Sequence, residues 1–218
     1  TCFVGCAREA VIPNNEEVVM VINGEEIQTG LANFYVRYQQ SMVESMYVAY
    51  MGNNAWTQKS EDGATYEEAM KEALLTEFQK MVVVAQNAEE YEVALTEDEL
   101  AEIEKAADSF DKANSAEVKQ LVSGKKENVI EYFKLLKLNA KMEDAIKAQA
   151  DTEITDDEAE KETTVEERQA EFYTDTVEKW LKEADIDLKK EVWEKISLDG
   201  LSVLTVTEEA EGTKESTE

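Results

Sequence analysis

Histidine is absent from these 218 residues, proline occurs once, at Pro13, and cysteine twice, at Cys2 and Cys6. The first absence removes the commonest general base and metal ligand and excludes a histidine-dependent nucleophilic triad. Two cysteines four positions apart near one end make neither a four-ligand zinc cluster nor an internal disulfide framework. Basic residues are scarce as well: 22 Lys and Arg stand against 50 Asp and Glu, a net charge of −28. Phosphate recognition needs clustered Lys and Arg, so nucleic acid is excluded as a partner, and the same sign disfavours an anionic membrane surface. No apolar run approaches the roughly 20 residues of a membrane-spanning helix. There is no Gly-rich phosphate loop and no D-x-[DN]-x-[DN]-G calcium loop. Adjacent acids such as Asp156-Asp157 and Glu166-Glu167 are what 50 carboxylates produce by composition. No catalytic residue, metal ligand or cofactor follows from any of this.

What remains is a chain with 43% hydrophobic residues, enough for one sizeable core, and only eight glycines. Few chain breakers and few β-turn residues favour long helices over a sandwich or barrel. The acidic surface suits solubility and can attract cationic partners.

Residues 1–7, Thr-Cys-Phe-Val-Gly-Cys-Ala, look like the end of a bacterial lipoprotein signal. On that reading Cys6 is the lipidated first residue of the mature chain, residues 1–16 are signal remnant and tether, and 7–16 are flexible. The domain proper then spans 17–206. Within it, 151–168 read as an acidic linker with a helix start at Thr155 at most. Leu201–Val206 suggest a last strand, and 207–218 a disordered acidic tail.

Val18–Ile22 is a β-branched run, Asn23-Gly24 a tight-turn signal, and Glu25–Gln28 a return strand. Thr29 is placed to cap a helix over 30–51. One stripe of that helix carries Leu31, Phe34, Tyr35, Tyr38, Met42 and Ala49. Val36, Val43, Tyr47, Tyr50 and Met51 lie beside it, so the apolar face is wider than one packing contact requires. Thr65 and Thr96, each with Glu three residues on, are capping boxes that open two more helices. Ser115 opens a short one. Residues 126–149 are apolar around most of their circumference, which predicts a central, buried helix. Tyr173, Val177, Trp180, Leu181 and Ala184 give a clean amphipathic helix over 169–184. Ile186 and Leu188 alternate as a short strand, and Val192, Trp193 and Ile196 suggest one more helical turn. The stripe on 169–184 must be buried, and no second hydrophobic domain follows it, so it should fold back on the helices of 30–149.

Two segments carry a family resemblance. Val18 to Gln40, VVMVINGEEIQTGLANFYVRYQQ, resembles the start of SurA/PrsA-type extracytoplasmic foldases. Glu171 to Ile196, EFYTDTVEKWLKEADIDLKKEVWEKI, is similar to their C-terminal segment, a helix leading into a D-I-x-L strand. The threonine-acid starts at Thr96 and Thr155 fit the same order. The resemblance implies a mainly α fold, a SurA N-terminal-like or trigger-factor-C-like chaperone core with a small hairpin, whose C-terminal helix packs on the N-terminal helices. In that family the second threonine-acid motif leads into a parvulin prolyl isomerase domain, normally with histidine in its site. About 90 residues would be needed for such a domain, and the stretch after Glu158 is far shorter and has no histidine. The resemblance therefore implies a non-catalytic chaperone.

The expected client-binding residues are Tyr35, Tyr38, Met42, Met46, Tyr47, Tyr50 and Met51 on the first long helix, with Trp56 at a groove rim. Methionine adapts its shape to varied partners, and tyrosine offers a ring and a hydroxyl. Trp180 is assigned to the core. The expected partners are unfolded or exported polypeptides, with a homodimer compatible, and the membrane is reached only through the Cys6 lipid. The alternative is a structural or adaptor lipoprotein that uses the same fold for one fixed protein partner.

Overall fold

The computed structural model describes residues 12–61, 63–150 and 164–198. The β-branched run forms β1 (Val18–Ile22), and Asn23 and Gly24, with φ of 51° and 84°, turn the chain into β2 (Glu25–Gln28), which pairs antiparallel with it. The helices are α1 (Thr29–Met51), α2 (Tyr66–Gln86), α3 (Glu97–Ala113), the short α4 (Ala116–Leu121), α5 (Lys126–Lys147) and α6 (Val165–Glu183). A 3-10 turn (Ala55–Thr57) lies between α1 and α2. After α6 come β3 (Ile186–Leu188) and a single helical turn, α7 (Lys190–Trp193). β3 pairs antiparallel with the free side of β1, giving the order β2-β1-β3. The fold is mainly helical with one small sheet.

Helix starts follow local chemistry. Thr65 and Thr96 each accept the backbone N–H three residues on, and Glu68 and Glu99 reciprocate, so two orphan donors per helix end are satisfied. Ser115 caps α4 in the simpler way. The same box recurs at Thr164 and Glu167. Helix α6 therefore starts four residues before the predicted 169, inside the stretch read as linker. Its high acid content, the reason for the linker reading, is favourable in a first helical turn, where the macrodipole is positive.

Thr29 is not the cap of α1. Gln28 occupies that position, and the Thr29 hydroxyl donates to the Glu17 carbonyl at 2.7 Å. The chain before β1 lies against this helix start, so the stretch read as tether is fastened at its end. Pro13 is buried, the Asn15 carbonyl accepts the Gly30 N–H at 3.0 Å, and Asn15 Oδ1 accepts the Ser123 hydroxyl at 2.6 Å. Cys6, the Thr155 helix start, the strand expected over 201–206 and the tail expected over 207–218 lie outside the described residues.

The main core joins α1, α2, α3, α5 and the C-terminal end, around Phe34, Phe78, Val129, Tyr132, Trp193 and Ile196. A second cluster, Val84, Met142, Ile146 and Val177, sits between α2, α5 and α6, and Trp180 and Leu181 touch both. The fold-back expected for 169–184 is present. Helix α6 packs on α2 and α5. A latch holds the hairpin turn to its end: the Asn23 N–H donates to the Asp185 carbonyl at 2.8 Å, and the Asp185 N–H donates to Asn23 Oδ1 at 2.9 Å.

Helix α3 is fastened to α5 through Glu99. Lys141 Nζ donates to its carboxylate at 2.7 Å, and so does the Thr96 N–H at 2.8 Å. The lysine bond first, and the backbone bond second, draw the Glu99 carboxyl from 4.5 down to about 2. A carboxyl lowered in the fold contributes stability that is full above its ordinary value and is lost as pH falls through the folded one. Glu99→Gln should therefore lower the melting temperature at pH 7. That deficit should shrink between pH 4.5 and 2, and thermal scans of both proteins across that range measure it.

Candidate functional site

Helix α1 is 23 residues long, about 35 Å at 1.5 Å per residue. Its first half is enclosed: Phe34, Tyr35, Val36, Arg37 and Gln40 are all buried. Beyond Ser41 the helix outruns its partners. Met42 is 65%, Met46 54% and Tyr50 85% exposed. Their four-residue spacing makes one ridge on the helix surface, with half-buried Tyr38 at its inner end. The other side of this half is covered. Tyr47 stacks on Trp56 with centroids 4.8 Å apart, and Tyr66 meets Tyr47 edge-on at 6.0 Å. Gln58 Nε2 donates to the Met51 carbonyl at 2.6 Å, so the end of the protruding half is tied down.

The structure thus separates the eight residues expected to face a client. Met42, Met46 and Tyr50 are open to water, while Tyr38, Tyr47 and Met51 show an edge each. Two are sealed. Tyr35 is 2% exposed and stacks on Phe78 at 4.9 Å. Burial, with Tyr132 and Glu77 adding to it, pushes its hydroxyl well above the usual tyrosine range. Trp56 is 5% exposed because the 3-10 turn after Gly52 folds it back on α1, so it is no groove rim. Trp180 is half-buried, edge-on to Tyr91 at 5.6 Å.

A second apolar surface went unseen in the sequence. Ile103 and Ala106 of α3 and Phe133, Leu136 and Ala140 of α5 line a shallow groove of about 370 Å³, with Glu102 and Lys137 on its lips. Helix α5 does pack on α1, α2, α3 and α6, but α3 covers only part of its outward side, and Leu136 stays 37% exposed. The missed signal was the all-round apolar pattern of 126–149: residues on every side of a helix include some that no neighbour covers.

No family model, curated protein or solved structure matches this chain.

Thioethers and a phenol on a ridge offer dispersion and one hydroxyl, and apolar side chains in a shallow groove offer burial to something long and thin. Among the described residues no helix is long and apolar enough to cross a membrane, and no three His, Cys, Asp or Glu stand together as a metal set.

Proposed function

We propose that this protein is a non-catalytic chaperone, a holdase for unfolded or exported polypeptides, held outside the cell membrane by a lipid on Cys6. The observation that carries the reading is the Met42-Met46-Tyr50 ridge, three large apolar side chains in water on a helix whose root is locked in the core. Exposed apolar surface of this kind marks interaction sites, and methionine tolerates partners of varied shape. The charge of −28 keeps a chaperone–client complex soluble and opposes association of copies. The resemblance to SurA/PrsA-type foldases supports the same reading, and the missing parvulin stretch makes it non-catalytic.

The test is suppression of aggregation of a chemically unfolded client. The wild-type chain at several-fold excess should suppress it. The triple variant Met42→Ser, Met46→Ser, Tyr50→Ser should lose most of that effect while melting close to the wild type, because exposed positions change stability by only about 0.5 kcal/mol each. No suppression by the wild type, or equal suppression by the variant, would count against the proposal. Prolyl isomerase activity should be absent. Capture of one stoichiometric partner in place of many unfolded ones would favour the adaptor alternative.

A further inference from the structure

The ridge and the groove meet. Tyr38, the inner end of the ridge, packs edge-on against Phe133 with centroids 5.9 Å apart, and Phe133 is a wall of the groove. Beyond that junction the two helices part. Asn139 Nδ2 ties α5 to the Met81 carbonyl of α2 at 2.9 Å, while Tyr47 ties α1 to Trp56 and to the start of α2. From Tyr38 to Tyr50 the ridge runs about 18 Å, and the groove continues for roughly a further 10 Å between Phe133 and Ala140. That length suits a segment of extended chain.

The groove is held open, and its α3 side is acidic. Two ion pairs pin α3 to α5 at its ends, Glu99 with Lys141 at 2.7 Å and Asp108 with Lys126 at 2.6 Å. Lys137, on the α5 lip, also faces Glu99, at 3.8 Å. Both α5 lysines at this end of the groove thus face the same α3 carboxylate, Glu99. On the α3 side the groove is lined by Glu102, which takes part in no ion pair among the described residues, and α3 as a whole carries seven carboxylates against two lysines. An apolar floor beside an acidic lip is complementary to a segment that is apolar and basic.

Building on the chaperone reading, we infer that the α1 ridge and the α3/α5 groove form one continuous track whose occupant is an extended polypeptide segment mixing apolar with basic residues. The acidic lip supplies selection and the ridge and groove supply contact. An acidic segment of the same hydrophobicity is rejected by like charge.

Three fluorescent 15-residue peptides test this on the full chain: one alternating Leu with Lys, one alternating Leu with Glu, and one with Ser in place of every Leu but the Lys kept. Anisotropy should give the Leu/Lys peptide at least ten-fold tighter binding than either control, weakened by 0.5 M salt. Leu136→Ser, and separately Ala140→Gln, which narrows the groove from an exposed position, should each weaken it several-fold without shifting the melting temperature. Equal binding of the Leu/Glu peptide, or of the Ser/Lys peptide, overturns the inference, as does no binding at all. If Leu136→Ser and Ala140→Gln bind like the wild type while the ridge variant has lost aggregation suppression, the groove is no part of the track and the chaperone reading stands without it. If the wild type does not suppress aggregation, the chaperone reading itself has failed.

Discussion

Phe34→Ala is expected to destabilise the protein by about 3–5 kcal/mol. The ring is wholly buried and meets three others: Phe110 at 5.2 Å and Tyr132 at 5.6 Å, both edge-on, and Tyr38 at 6.0 Å. Removing it opens a cavity where α1, α3 and α5 converge and deletes ring pairs worth about 0.5–1.5 kcal/mol each beyond their area. The surroundings have little room to collapse. Phe110 is already wedged against the backbone of Gly124, where a Cβ would lie 2.7 Å from its ring. For a chain of this size the cost corresponds to a drop in melting temperature of about 6–20 °C. Phe34→Leu, which keeps much of the volume and none of the ring pairs, should fall between the wild type and Phe34→Ala. A shift below 2 °C for the alanine variant would show that this cluster is not the centre of the fold. Since Tyr38 belongs to the same cluster, the variant should also loosen the inner end of the ridge.

Local signals in the sequence were legible wherever the chemistry was local. Asn23-Gly24 gave the hairpin, and Thr65, Thr96 and Ser115 gave three helix starts, because turn and cap geometry depend on a handful of adjacent residues. Thr164 obeys the same rule as Thr65 and was hidden only by the acids around it. Burial was less legible, because it depends on what lies across from a residue. Tyr35 and Met42 share one stripe of α1 and have the same period, yet one is sealed by Phe78 and the other faces water. The difference is set by where α2 and α5 leave α1, which periodicity does not encode. Trp56 is the converse case, a loop residue by pattern that the 3-10 turn folds onto Tyr47. The groove between α3 and α5 needed both helices in register before it existed at all. Gly124 lies just past the end of α4, and only the packed structure shows that the Phe110 ring leaves no room for a Cβ there.

Trp193→Ala should cost a similar amount, about 3–5 kcal/mol, although Trp193 lies in a helix of four residues. Its ring is 5% exposed and, with Val192, Ile196 and Leu198, completes the main core from the C-terminal side. Neighbouring backbone bonds continue the same closure: β3 pairs with β1, and the Lys189 N–H donates to the Val19 carbonyl at 2.9 Å. Gln40 connects this closure to the ridge. It is fully buried, its amide donates to the Leu198 carbonyl and to Glu44, and its carbonyl oxygen accepts from Arg37. The C-terminal segment thus grips α1 at the point where it leaves the core and its exposed half begins. The wild type should therefore unfold in one transition, and Trp193→Ala should shift that transition as a whole. Two tryptophans remain as probes, Trp56 in the main cluster and Trp180 between the two clusters. Their fluorescence and the far-ultraviolet helix signal should all move together. A variant whose helices melt at the wild-type temperature while only the Trp180 signal shifts would mean that the chain end is an appendage. The ridge would then have no fixed root, and a client surface built on its rigidity would lose its physical basis.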